Sequence, residues 1–287
     1  MTPNWLNKEL YPFIPKDFTL PMGKMSYIDE GEGEPIVMIH GNPSWSFEFR
    51  DLIKYFSKTH RCIAPDHIGF GLSDKPTDWD YLPENQAKNL EAFLESLDLE
   101  NITLLVGDWG GPIGLSYAIN YSEKIKNIII TNTWMWSAKN DWYYQVFSGF
   151  VGGPIGRWLI KKYNFFVNAV LKSIYGDKKK LTPEIHQHFI MPLVIPEERK
   201  GNWVLPKQII ASSDWLADLW AKREVLNDKI KLIAWGMKDI AFREKELNHW
   251  RKHFPDVKVV QYADAGHFLA EEKAEELSSE LKVILSS

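Results

Sequence analysis

Leu105-Val106-Gly107-Asp108-Trp109-Gly110-Gly111 is preceded by apolar residues from Ile102 and followed by a helix-like segment from Pro112 to Tyr121. A strand-length apolar run, an acid and an indole set among glycines, then a helical pattern reads as strand, sharp turn, helix. Small residues let such a turn hold the side chain at its apex clear of the backbone, at the end of a buried strand. That side chain is Asp108. A serine that displaced a leaving group from a saturated carbon would form an ether, which an activated water does not readily cleave. A carboxylate forms an ester instead, and water can open an ester at its carbonyl carbon. Asp108 therefore predicts attack on an sp3 carbon.

Outward from this turn, strand and helix signals alternate. Phe18 to Asp29 reads as two short strands, a hairpin at a sheet edge. Pro35 to Gly41 is a continuous apolar run ending in glycine, as in a strand buried on both faces. Ser46 to Ser57 has helical spacing, Arg61 to Pro65 is a short strand, and Asp66 to Pro76 is a glycine-punctuated loop. Glu84 to Leu97 is an amphipathic helix, and Lys126 to Thr131 another buried strand. From about Trp134 to about Ser213 the alternation stops. Helical patches follow one another, with turns at Gly152 to Pro154, Asp177 to Lys180 and Pro192 to Glu198. It then resumes with a strand at Lys229 to Gly236, a helix at Arg243 to His253, a strand at Val257 to Tyr262 and a helix at Glu271 to Leu285. The expectation is an α/β chain: one mostly parallel, doubly wound sheet formed by 1–133 and 214–287, interrupted by a helical cap over 134–213. Ligands in such sheets bind at the carboxyl ends of the strands. The chain holds 13 Trp, and Trp134, Trp136, Trp142, Trp158 and Trp203 fall in the cap, where aromatics would close an apolar pocket.

Composition narrows the function. The 287 residues carry a net charge of -4, which offers no basic footprint for nucleic acid or an anionic membrane. The one cysteine, Cys62, allows no internal disulfide and fits a reducing, cytoplasmic setting. Met1 to Lys16 has no apolar core of a signal peptide, and no apolar run reaches membrane-spanning length.

Asp108, Asp239 and His267 fall at strand ends in the chain order nucleophile, acid, histidine. This order, with the elbow, is that of α/β-hydrolase triads. Asp108 would attack carbon, His267 would take a proton from water in a second step, and Asp239 would orient the imidazole and stabilise its cation. Taken singly, His267 is an ordinary loop histidine and Asp239 an ordinary helix cap; it is their joint spacing that argues for chemistry. His40-Gly41-Asn42-Pro43-Ser44-Trp45 follows a central strand. Backbone N–H groups of Asn42 and Trp109 would form the oxyanion hole. Their side chains are also donors, and two donors aimed into an apolar pocket suit a departing halide. His40 reads as structural.

The elbow Gly107-Asp108-Trp109-Gly110-Gly111, the loop His40 to Trp45, the segment Pro65 to Pro76 and Ala263 to Phe268 together resemble haloalkane dehalogenases over nearly the whole core. Val106 stands in place of the usual first glycine of the elbow. The resemblance implies an α/β-hydrolase fold and hydrolysis of a carbon–halogen bond to alcohol, halide and a proton, through an alkyl-enzyme ester and without cofactor. The implied partners are a small apolar halogenated substrate, water and halide. Within the family the acid follows either of two strands. Asn132 after the earlier strand is no carboxylate, so Asp239 is the candidate. An Asn and Trp halide pair with this later acid marks one subgroup, which also resembles the β-lactone decarboxylases of olefin biosynthesis. Pocket size would separate the two. Trp134, Trp136, Phe147 and Phe165 are the expected pocket residues.

Other readings compete. Epoxide hydrolases share an elbow Asp and need phenol donors in the cap; Tyr143, Tyr144 and Tyr163 are available. Fluoroacetate dehalogenases place arginines near the elbow, and none stands there. A non-catalytic binding relative would ordinarily lack a triad member. His249 and His253 are four apart on a helix but lack the zincin Glu; His186 and His188 face apart; the expectation is no metal site. Gly152-Gly153-Pro154-Ile155-Gly156 has no Lys for a phosphate loop, and Lys178 to Lys180 reads as a solvated turn.

Overall fold

Runs such as Ile36-Val37-Met38-Ile39 and Ile128-Ile129-Ile130 put apolar side chains on both sides of an extended backbone, so they are stable only where both sheet faces are covered. The structure, a computed structural model describing residues 3–286, places them at the centre of one eight-stranded sheet. The strands are β1 (Lys16–Leu20), β2 (Gly23–Glu30), β3 (Pro35–Ile39), β4 (Arg61–Pro65), β5 (Ile102–Val106), β6 (Ile125–Thr131), β7 (Ile230–Gly236) and β8 (Lys258–Tyr262). Their spatial order is β1-β2-β4-β3-β5-β6-β7-β8. β2 pairs antiparallel with β1 and with β4, and every other neighbouring pair is parallel. The expected edge hairpin is β1–β2.

Twelve helices accompany the described strands: α1 (Arg50–Phe56), α2 (Pro83–Ser96), α3 (Gly110–Asn120), α4 (Trp142–Val151), α5 (Pro154–Tyr163), α6 (Leu171–Ile174), α7 (Pro183–Ile190), α8 (Gly201–Ala211), α9 (Ser213–Ala221), α10 (Glu244–His253), α11 (Leu269–Glu272) and α12 (Ala274–Leu285). Successive strand residues point to opposite faces, and this divides the core in two. Val37, Ile39, Leu104, Val106 and Ile130 face α2, α3 and α10, where they meet Leu90, Ile113 and Trp250. Ile36, Met38, Leu105 and Ile129 face α1 and α12, where they meet Leu52, Ile53 and Leu281. Between β6 and β7 the described chain contains no strand. Helices α4 to α8 run there with short turns between them, and α9 then returns to pack against α3. No helix among the described residues is long and apolar enough to cross a membrane.

Two helices differ from the sequence reading. The elbow helix begins at Gly110 rather than Pro112. The C-terminal helix is broken at Lys273 (φ -138°) into α11 and α12. The cause lies in two acids that point inward from α11. Glu271 pairs with Arg50 at the start of α1, and Glu272 accepts the backbone N–H groups of Gly266 (3.0 Å) and Asp177 (2.7 Å). These bonds fix α11 to the core and to the loop before it, off the axis of α12.

The Arg50–Glu271 pair is almost fully buried, with side-chain exposures of 4% and 1%. Removing one partner leaves an uncompensated buried charge, which costs about 3–5 kcal/mol. Arg50→Ala should lower urea-unfolding stability by about that amount, and Arg50→Met with Glu271→Leu should recover most of it. Additive losses in the double variant would show that the two side chains do not act as a pair.

Candidate active site

The register of the sheet puts Ile39 beside Val106, and Val106 beside Ile130, so the loops leaving β3, β5 and β6 start side by side. At the end of β5 the chain turns through Asp108, whose φ of +47° lies in the left-handed region that non-glycine residues seldom adopt. That strain persists because the turn is held from several sides. The Asp108 N–H donates to the Asn132 carbonyl at 3.0 Å. The Asp108 carbonyl accepts from the Gly111 N–H (3.0 Å) and from the Thr133 hydroxyl (2.5 Å). Gly110 has no alternative residue: a Cβ there would lie 2.1 Å from the Ile39 carbonyl oxygen. A Cβ at Gly41 would lie 2.3 Å from the Asp108 carboxylate. Both glycines let a neighbouring backbone come close to the acid.

His267 sits in the loop after β8. Its N–H donates to the Ile174 carbonyl at 2.9 Å, tying the loop to α6. Its Nδ1 lies 2.8 Å from Asp239 Oδ2, and its Nε2 lies 3.7 Å from Asp108 Oδ2. Asp239 is braced in turn: Asn132 Nδ2 donates to Oδ2 (3.0 Å), and the Ala241 N–H to Oδ1 (2.7 Å). Asn132 also bridges to Gly236, donating to its carbonyl and accepting its N–H. The residue that the sequence excluded as the acid is thus a strut for Asp239. The Asn42 N–H donates to Asp108 Oδ1 at 2.7 Å, and the Trp109 N–H also stabilises that carboxylate. One carboxylate oxygen is therefore held by backbone donors and the other faces the imidazole.

Charge dominates the electrostatics. Burial opposes a charged His267, yet Asp239 and, less strongly, Asp108 and Glu48 outweigh it and raise the imidazole to about 9. Burial raises the Asp108 carboxyl above the usual range, while His267 and the two backbone donors pull it back. His40 is held neutral by burial. Its Nδ1 meets the Gly41 carbonyl and its Nε2 accepts the His67 N–H, a loop-fixing role that matches the sequence reading.

Asp108, His267, Asn42 and Trp109 open on a cavity of about 230 Å3 beneath α4, α6 and α8. Among the described residues neither the Asn42 amide N–H group nor the Trp109 indole N–H has a protein acceptor, whereas the indoles of Trp45, Trp235 and Trp250 donate to carbonyls. Phe147 and Phe165 line the cavity as expected. Trp134 and Trp136 do not. Trp134 lies one layer behind, edge-on to Trp109 and stacked on Phe242, the two rings that do line it. Trp136 is drawn away into a cluster with Trp220, His249 and Trp250. Sequence reading missed Phe166, Ile174, Pro206, Ile209 and Phe242 on the wall, and nothing in their local pattern marks them. It also missed Glu48; an acid between two phenylalanines, Phe47 and Phe49, was the available signal.

Two phenols reach the cavity, but the Tyr143 hydroxyl donates to the Ile240 carbonyl (2.6 Å) and the Tyr144 hydroxyl to the Ala241 carbonyl (3.0 Å). Tyr163 is not among the lining residues. His249 and His253 lie against Trp220, and among the described residues no group of three or more His, Cys, Asp or Glu could hold a metal ion.

Comparison with known proteins gives the chain's family and fold. Residues 34–170 match the alpha/beta hydrolase fold family. Over 275 residues the chain is 34% identical to haloalkane dehalogenase 2 of Mycobacterium tuberculosis, covering 94% of each. Over 295 residues it is 35% identical to the cis-3-alkyl-4-alkyloxetan-2-one decarboxylase of Shewanella oneidensis, covering 95% of this chain and 88% of that protein. The crystal structure of the haloalkane dehalogenase DatA from Agrobacterium tumefaciens superimposes with a TM-score of 0.85 at 24% identity, covering 98% of this chain and 99% of that one.

The source of the imidazole basicity is open to direct measurement. Asp239→Asn removes the strongest contribution raising His267, so its ionisation should move down from about 9 by more than one unit. NMR titration of the His267 ring reads this. An unchanged midpoint would mean that Asp239 does not carry the effect.

Proposed function

The chain belongs to the haloalkane dehalogenase family of the α/β-hydrolase fold, and from that membership we propose that it hydrolyses short haloalkanes to alcohol, halide and a proton through an ester on Asp108. The observation that carries this reading is the pair of unspent side-chain donors, Asn42 and Trp109, flanking a positively twisted aspartate in an apolar cavity. In the first step the Asp108 oxygen not held by the Asn42 N–H attacks carbon from behind. The carbon–halogen electrons leave with the halide, whose growing charge the Asn42 amide and Trp109 indole receive. In the second step His267 Nε2 takes a proton from water and the oxygen adds to the Asp108 carbonyl carbon. The charge that appears on Oδ1 falls on the Asn42 and Trp109 backbone N–H groups. Collapse expels the alkoxide, which takes the proton back from His267. We include in the proposal that 134–213 acts as a cap, and that the protein works in a reducing, cytoplasmic setting, supported by its single buried thiol at Cys62.

The two steps ask opposite things of His267, and the charges supply the change. In the free protein Asp108 helps to hold the imidazole protonated. Ester formation removes the Asp108 charge, so the imidazole pKa falls below about 9 at the stage where a neutral base is required. The neutral fraction grows with pH, so turnover limited by ester hydrolysis rises with pH up to that lowered value.

A second reading has its own support in the similarity to the oxetanone decarboxylase. A cavity of about 230 Å3 favours the smaller substrate, since pockets for drug-sized ligands run to about 300–1,000 Å3.

Supplying 1,2-dibromoethane or 1-bromobutane should release bromide at a rate that rises from pH 6 to 8. His267→Gln should keep a single-turnover burst of bromide, lose about 10²–10⁴ in turnover, and leave an alkyl adduct on Asp108 visible by mass spectrometry. Alkene from a cis-3,4-dialkyl-oxetan-2-one, with no bromide from either haloalkane, would replace this reading by the second.

A further inference from the structure

Against Asp108 and His267, which also line the aromatic cavity, lies a second and much smaller pocket. Its volume is about 10 Å3, room for the centre of one water, and its lining brings together Glu48, Asp108 and His267 with Thr131 and Phe268. Glu48 lies in the single turn Ser46–Phe49 ahead of α1, where Phe47 and Phe49 turn into the core. Glu271, an acid that acts on it, is matched by Arg50. Glu48 forms no ion pair with Lys or Arg among the described residues, and the Ser44 hydroxyl bonds it. A carboxylate left without a cation in a wall of the site is costly unless it has a use there.

We propose that Glu48 is the second acceptor for the hydrolytic water: a water in this pocket gives one O–H to His267 and the other to Glu48. With both hydrogens so engaged, a lone pair is turned toward the Asp108 carbonyl carbon. The proposal rests on the covalent-ester reading above. Its balance is complete. The proton facing His267 passes to Nε2 as the water oxygen bonds to carbon, and that proton leaves with the alkoxide as the alcohol. The other hydrogen stays on the new oxygen, which remains on Asp108 as a carboxylic acid. Glu48 takes that proton, restores the Asp108 carboxylate, and releases the proton to solvent as the third product.

The surroundings suit a group that exchanges protons near neutrality. Burial raises the Glu48 carboxyl to about 7, with Glu271 and Asp108 adding to the rise and Ser44 and His267 opposing it. Tyr175 also faces it, with its phenol held protonated by burial and by Glu271. The accepting form of Glu48 is the carboxylate, which dominates above about 7 and is lost as pH falls through it.

The test compares wild type, Glu48→Gln and Glu48→Asp with 1,2-dibromoethane by rapid quench. Glu48→Gln should release the first equivalent of bromide as fast as wild type, then turn over at least tenfold more slowly, with alkyl ester accumulating on Asp108. Its turnover profile should also lose the ionisation near 7, and Glu48→Asp should restore that ionisation in part. The burst amplitude counts folded sites, so misfolding is separated from slow hydrolysis. A wild-type burst with Glu48→Gln turning over within twofold of wild type, and no ester build-up, overturns the role of Glu48 alone. A wild type that turns over haloalkane without ever forming an ester on Asp108 overturns the covalent reading and this role with it.

Discussion

The structure depends on holding a buried Asp239 and His267 against a partly buried Asp108 and a half-buried Glu48. Asp108, Asp239 and Glu48 all act on His267, and each would be expensive to bury alone. The fold makes the arrangement stable by dividing the support. Asp239 is satisfied by Asn132 and the Ala241 N–H from the ends of β6 and β7, and Asp108 by backbone donors from the β3 and β5 loops. The imidazole cation balances part of what is left. Because these supports come from the carboxyl ends of neighbouring parallel strands, the sheet register itself sets the distances within the site.

The same dependence explains what could be read from the chain. Strands buried on both faces are written as unbroken apolar runs, so β3, β5, β6 and β7 were legible, and the position of Asp108 followed from a turn that tolerates almost no other sequence. The order Asp108, Asp239, His267 was legible because each residue closes a strand or follows one. The cavity wall was not. Trp134 and Trp136 are two residues apart after β6, yet one backs the site and the other leaves it for Trp220 and Trp250. Which way an indole turns is settled by helices distant in sequence, α9 and α10 for Trp136, and local pattern holds no record of that. Asn132 shows the converse. Its identity was read, but its two hydrogen bonds to Gly236 and its hold on Asp239 are tertiary facts.

The helical segment between β6 and β7 is joined to the chemistry by more than proximity. Ile174 accepts the His267 N–H, and Glu272 ties the Asp177 and Gly266 backbones together. α6, which lines the aromatic cavity, is therefore hydrogen-bonded to the loop that carries His267. Changes that enlarge the cavity through α6 would also shift the imidazole, so cavity size and the position of His267 are coupled in this region. α4 is tied instead to the loop of Asp239, through the Tyr143 and Tyr144 hydroxyls on the Ile240 and Ala241 carbonyls, whereas α8 meets the wall through Pro206 and Ile209.

That distinction bears on how one scaffold serves both a dehalogenase and an oxetanone decarboxylase. The relatives are about equally similar to this chain, 34% and 35% identical, so overall similarity does not choose between them. The volume above the elbow comes in this chain from Phe147, Phe165, Phe166, Pro206 and Ile209, all from the segment between β6 and β7. The small cavity here is then the more informative feature, because it is the part of the site that the shared core does not dictate.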